Sequence, residues 1–270
     1  MNTDDFRFKK KYGQNFLRDD SIPNKIVSKS NILDESLVIE IGPGAGILTK
    51  KLAGVAKYVI AYEIDESLRP VLEENLTGIS NVKVIFGDFL EQKVVDDLKE
   101  YSYKHLYIVA NLPYYITTPI LLKIIDMNLD IERVIVMVQK EVGDRFSAKP
   151  GSKDYGSITV LLNSYFDVSK LFDVGRNCFI PKPNVDSMML ALDKKDTLID
   201  IKDRNVFTKL VRDSFQFKRK TLRNNLKAYD LDTISRVLSK YNLDLNVRAE
   251  NLSVGIFCDI SNNLVWGRYE

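Results

Sequence analysis

The chain has 270 residues, 45% of them hydrophobic and 28% charged, with a net charge of +2, which suits a soluble α/β domain plus a smaller one. One histidine, His105, leaves no His-based metal centre or Ser/His triad, and two distant cysteines, Cys178 and Cys258, lack metal-type spacing and fit a reducing cytosol. No apolar run approaches the roughly 20 residues that cross a bilayer, and MNTDDFRFKKKYGQNF has neither a signal-peptide core nor the acid-poor character of a transit peptide. The expected location is the cytoplasm, without a membrane or metal partner.

In chain order, a basic cluster comes first: Arg7, Lys9, Lys10 and Lys11. From Leu37 strands and helices alternate. SLVIEIG, KYVIAYEID, NVKVIFGD, HLYIVANLPYY and ERVIVMVQ read as buried strands. GILTKKLAGVA, ESLRPVLEENL and TPILLKIIDM read as the helices between them. Such alternation predicts a mostly parallel, Rossmann-like α/β sheet with helices on both faces. SAKPGSKDYGS breaks the pattern as a loop, and YFDVSKLFDV and NVDSMMLALD read as two closing strands. The polar KKDTLIDIKD reads as a linker to a small C-terminal helical domain built from VFTKLVRDSF, KTLRNNLKA, LDTISRVLSKY and SVGIFCDISNNLV. The expected domains are 1–194 and 203–270. A second basic cluster, Arg212 to Lys227, lies in the latter; charge patches in a near-neutral protein suit an anionic polymer or simply a solvated face.

Chemistry gathers at three consecutive strand ends. The first strand ends in EIGPGAG, Glu40 to Gly46, with Gly42-x-Gly44-x-Gly46 where a dinucleotide fingerprint wants its third glycine at Ile47. The loop is either a ligand cradle or a tight turn. Glu40 beside it would repel a pyrophosphate and suits a cationic ligand. The second strand ends in Glu63, placed to accept ribose hydroxyls; the third ends in Gly87-Asp88-Phe89, where Asp88 can accept from an adenine amino group. Read singly, each acid is as well a surface residue or a helix cap. All three tips lie on the carboxyl edge, where open α/β sheets bind ligands.

EIGPGAG, YEID, GDF and NLPYY resemble the class I S-adenosylmethionine-dependent methyltransferases. NLPY is similar to the motif of those that methylate exocyclic amino groups. YGQNFL (Tyr12 to Leu17), VMVQKEVGDR, FIPKPNVDS and FKRKTLRNNL extend the likeness over nearly the whole chain, to the bacterial small-subunit rRNA adenine dimethyltransferase family. The resemblance implies S-adenosylmethionine as methyl donor, held by Asn15, Leu17, Gly42, Glu63, Asp88 and Asn111, with the N-terminal segment as a lid. It implies two adjacent adenosines in the 3′-terminal hairpin of small-subunit rRNA as targets, in a partly assembled small ribosomal subunit.

An adenine amino group is a poor nucleophile, because its lone pair is delocalised into the ring. Two acceptors aimed at its N–H groups would hold it in line: the Asn111 side chain and the Leu112 carbonyl, stiffened by Pro113. Tyr114 offers a stacking face, and Tyr115 is expected to pack beneath the loop. Phe179 closes the other face of the base or anchors its own loop. Lys218, Arg219 and Arg223, expected on one helix, would contact RNA phosphates. Two alternatives share the fold: a macrolide-resistance type enzyme acting on 23S rRNA, and a non-catalytic RNA-binding assembly factor.

Overall fold

The computed structural model describes residues 16–17, 19, 21–112, 114–197 and 199–264. Its strands are β1 (Phe16–Leu17), β2 (Ser36–Ile41), β3 (Tyr58–Glu63), β4 (Val82–Phe86), β5 (His105–Asn111), β6 (Arg133–Gln139), β7 (Phe166–Val174), β8 (Phe179–Ile180) and β9 (Ser187–Lys194). The two-residue β1 pairs antiparallel with β8, setting Leu17 opposite Phe179. The other seven form one sheet in the order β4-β3-β2-β5-β6-β9-β7. β2, β3, β4, β5 and β6 run parallel, and β9 returns antiparallel to β6.

This order follows from apolar character on both sides of each central strand. Val38, Val59, Val109 and Met137 share one core with Ile22 and Ile26 of α1 (Ser21–Ser30) and Leu48 and Leu52 of α2 (Ile47–Ala53). Their strand neighbours Leu37, Ile39, Ile60, Ile108 and Val136 point to the opposite face and are equally buried. Apolar stripes are likewise buried on α3 (Arg69–Asn75), α4 (Val94–Leu98) and α5 (Thr117–Asp126) through Leu72, Leu98, Ile120 and Ile124. A strand buried on both faces cannot alternate polar with apolar residues, so it reads as one apolar run. α1 was not among the predicted elements, because its SIPNKIVSKS is half polar.

The chain winds outward from β2 through β3 to β4, then crosses back to β5 on the other side of β2. Loops leaving β2 and β5 therefore diverge, and a crevice opens between two adjacent carboxyl ends.

Two compact units emerge: residues through Gly143 with Ser169–Lys194, and Asp144–Val168 with the described residues from Lys195 onward. The division departs from the sequence-based 1–194 and 203–270. After α6 (Lys140–Phe146), the segment through Val168 belongs with the later helices. Its α7 (Ser157–Asn163) packs on α8 (Arg204–Ser214) and α11 (Val254–Asn263). The rings of Tyr155, Phe215 and Phe257 follow one another at 6.2 and 5.8 Å, joining the inserted segment to both helices. Asp203 caps α8 by accepting from Asn205 and Val206, and Asp230 caps α10 (Leu231–Ser239) from Asp232 and Thr233. KTLRNNLKA, predicted as a helix, keeps only the single turn α9 (Leu222–Asn225), entered through Thr221.

Candidate active site

The turn after β2 takes its shape from glycine. Gly42 has φ +77°, and a Cβ there would lie 3.3 Å from the Asn111 carbonyl oxygen. Only a residue without a side chain sits comfortably in that left-handed conformation. The absence of a side chain lets β2 and β5 end side by side. The Gly42 N–H donates to the Tyr62 carbonyl at 2.9 Å, so the β2–β3 ladder runs to the edge of the crevice.

Glu63 closes β3 with a carboxylate fixed at both oxygens. Oε2 accepts the Gly44 N–H at 3.0 Å and Oε1 accepts the Asp65 N–H at 2.9 Å. Burial raises the Glu63 pKa, the Asp65 charge adds to the rise, and the backbone N–H groups of Asp65, Gly44 and Ile64 oppose it. Glu40 is also buried, and its Oε2 has no hydrogen-bond partner among the described residues. Burial pushes its carboxyl from 4.5 to about 8; the Thr49 hydroxyl opposes that rise and the nearby Glu63 adds to it. At the tip of β4, Asp88 Oδ1 accepts the Leu90 N–H at 2.9 Å. Phe89 behind it is buried edge-on against Tyr62, with ring centroids 5.3 Å apart.

The Asn111 side chain is half-buried at the tip of β5 and lines the cleft. Leu112 is buried. The Tyr114 hydroxyl lies 2.8 Å from the Ser187 hydroxyl at the start of β9, which fixes the plane of a half-buried ring. Tyr115 does not pack beneath the loop as expected. It is 65% exposed and stands on the cleft wall. A bare sequence favours the buried reading for any aromatic residue, and here the turn at 114–116 directs the second ring outward.

These groups border one cleft of about 1160 Å³, measured out to bulk solvent. Leu17, Gly42, Glu63, Asp88, Asn111, Leu112, Tyr114 and Phe179 all line it. Leu17 and Phe179, named for different roles in the sequence, meet there as register partners. Asn15 and Pro113 lie outside the described residues. Lys218, Arg219 and Arg223 belong to the second unit, and they do not share one helix. Lys218 and Arg219 precede α9, Arg223 lies within it, and all three are exposed. The Lys218 ammonium donates to the Lys153 carbonyl at 2.5 Å.

The cleft suits a ligand that carries both positive charge and a nucleoside. An unpartnered buried carboxylate oxygen favours a cation over a phosphate. The side-chain-free turn lets a flat group approach the backbone, and two further acids face the same space. Sequence reading missed Ser187 and Lys123. The second left a signal, a lone charge inside the apolar run ILLKII.

A family model described as ribosomal RNA adenine dimethylase matches residues 5–265. The chain belongs to the ribosomal RNA adenine dimethylase family. It is 44% identical over 269 residues to the ribosomal RNA small subunit methyltransferase A of Bacillus mycoides (strain KBAB4), covering 96% of this chain and 92% of that one. The Bacillus anthracis (strain A0248) relative gives the same figures. Among solved structures, a dimethyladenosine transferase from Plasmodium falciparum superposes with a TM-score of 0.77 at 26% identity, over 91% of this chain and 95% of that one. A 23S rRNA methyltransferase superposes with a TM-score of 0.69 at 24% identity, over 93% and 99%, which shows the shared fold. In this member of the dimethylase family, the cleft at the β2/β5 crevice is the candidate active site. No described helix is long and apolar enough to cross a membrane.

Proposed function

We propose that this protein transfers methyl groups from S-adenosylmethionine to N6 of two adjacent adenosines in the 3′-terminal hairpin of small-subunit rRNA, within a partly assembled small ribosomal subunit. The observation that carries the reading is the opening of the Asn111–Tyr114 loop onto the same cleft as Glu63 and Asp88. The identity to small-subunit methyltransferases stands behind it.

When bound, S-adenosylmethionine supplies an electrophilic methyl group on a sulfonium. Glu63 would accept from the ribose hydroxyls, and Asp88 would accept from the adenine amino group. Gly42, Leu17 and, by resemblance, Asn15 would enclose the cofactor. Glu40 would offer its carboxylate to a positively charged part of it. The Asn111 side-chain oxygen and the Leu112 carbonyl would accept the two N–H groups of the target amine, directing its lone pair at the methyl. The target adenine must leave its stack to enter. The Tyr114 ring would receive it, a contact worth about 1–3 kcal/mol per stacked base. No base is needed before attack, because positive charge appears on N6 only as the methyl arrives. Alignment is then the main contribution, and it can supply roughly 7–11 kcal/mol.

Ser187 holds Tyr114 through a single hydrogen bond. Ser187→Ala should lower the single-turnover rate about two- to tenfold, Tyr114→Phe should do the same, and the double variant should fall no further. Additive losses would show that Ser187 acts elsewhere.

The exposed cations of the second unit would position the RNA through its phosphates. Replacing Lys218, Arg219 and Arg223 together with alanine should weaken RNA binding and flatten the slope of log K against log salt by about 2–3. An unchanged slope would remove these residues from the interface.

The test of the function offers the protein small and large ribosomal subunits that lack the modification, with methyl-labelled S-adenosylmethionine, and maps the label by primer extension and mass spectrometry. Dimethyladenosine in the small-subunit 3′ hairpin is expected. Label confined to the large subunit would move the substrate to 23S rRNA. Binding of cofactor and subunit without label would make the chain an assembly factor.

A further inference from the structure

The Lys123 ammonium is tied to one loop by all three of its donors. It donates to the carbonyl oxygens of Phe89 at 2.6 Å, Leu90 at 2.8 Å and Gln92 at 2.8 Å. A lysine ammonium has three N–H groups, so its hydrogen-bonding capacity is spent on this loop. It also stands 5.1 Å from the centre of the Phe89 ring.

The geometry joins two parts of the cleft. Lys123 sits on α5, the helix that begins directly after the Asn111–Ile116 loop. The carbonyls it grips belong to the loop that leaves β4 and carries Asp88. From its other side the loop is held by Phe89, buried edge-on against Tyr62, and by the Gly87 N–H, which donates to the Glu63 carbonyl at 2.8 Å. Asp88 caps its own turn, with Oδ1 accepting from Leu90 and its carbonyl from Glu91. Gly87, with φ +143°, supplies the backbone conformation from which this turn departs. An ion pair on the surface would be a weak tether; three charge-assisted bonds to converging carbonyls are a strong one.

We propose that Lys123 is a positioning residue for nucleobase selection. By clamping residues 89–92 to α5, it holds Asp88 where it can accept from an exocyclic amino group, and so makes the cleft prefer adenine over a base with a keto oxygen at that position. The inference rests on the proposed cofactor reading. It adds the residue that sets the preference, which Asp88 alone on a short turn would not hold. Asp88 also acts back on Lys123: burial lowers the lysine pKa, and the Asp88 charge counters that fall.

The test uses the full chain and two probes, S-adenosylhomocysteine and its inosine analogue, S-inosylhomocysteine, titrated by calorimetry. The wild-type protein should bind the adenine compound more tightly. Lys123→Met, which keeps an unbranched apolar stem one atom shorter and removes the charge and donors, should bind the adenine compound about tenfold more weakly or worse. Its affinity for the inosine compound should change little, so the ratio collapses. Lys123→Gln retains two donors on a shorter arm and should give an intermediate ratio. Thermal midpoints read in parallel separate loss of fold from loss of selection. A variant with a lowered midpoint and a wild-type ratio would overturn the inference, as would equal weakening toward both probes. Wild-type protein that binds neither probe would overturn the cofactor reading and this inference with it.

Discussion

Asn111→Ala should lower the rate of methyl transfer by about 10²–10³-fold, the usual cost of removing one fixed polar group from a developing charge. The side chain stands half-buried at the cleft rather than in the core, so its truncation leaves no cavity in the core and the thermal midpoint should stay close to wild type. The target amine would keep the Leu112 carbonyl as an acceptor but lose the second, and its lone pair would swing away from the methyl. Asn111→Asp keeps an acceptor oxygen in the same place and should retain more activity than the alanine variant. Single-turnover rates on unmodified small subunits measure both. Activity in Asn111→Ala within tenfold of wild type would remove Asn111 from the chemistry.

Glu40→Gln should make the protein more stable than wild type, by an amount that grows with pH. Burial holds the folded carboxyl at about 8 against an ordinary 4.5. Between those values the folded state binds a proton that the unfolded chain has released. A native state that binds more protons loses stability as pH rises. The wild type therefore declines from about pH 4.5 to about pH 8 and then levels, once both states are ionised. Glutamine removes that dependence, and the gap should reach a few kcal/mol at pH 8. Urea midpoints at pH 5, 6.5 and 8 read it directly. Parallel curves for the two proteins would show that Glu40 is not titrating in this window. The same carboxyl predicts proton release when a cationic ligand binds beside it, visible in calorimetry as a dependence on the buffer's ionisation enthalpy at pH 7.

The sheet was legible because its central strands are buried on both faces and so appear as unbroken apolar runs between helices. The cleft was legible for the same reason. Gly42, Glu63, Asp88 and Asn111 each fall at the end of such a strand or within two residues of it, so all fall on one edge. Tyr115 was misread because an aromatic side chain carries no mark of the direction in which a turn sends it. Lys218 and Arg219 were placed on a helix because KRKTLRNNL has no breaker, yet Thr221 starts a new turn. Ser187 and Lys123 act through contacts across 73 and 31 to 34 residues, and no periodicity encodes a partner at that distance. The place of 144–168 in the second compact unit was not legible either. Ser157–Asn163 has an ordinary amphipathic pattern, and nothing within it tells that its apolar face awaits α8 and α11.

That interrupted second unit bears on synthesis. The segment 144–168 leaves the ribosome about 100 residues before the end of α11, its last partner. At translation rates of roughly 5–20 residues per second, the wait is about 5–20 s. During it Tyr155, Val160, Leu161 and Leu162, all buried in the finished fold, have no cover from the helices that will bury them. The nascent chain thus passes through an interval in which its first unit is nearly complete while an apolar segment waits for its partners. A premature stop between Lys195 and Arg204 would make that interval permanent, and the shortened product should be a chaperone client or a protease substrate rather than a working half-enzyme.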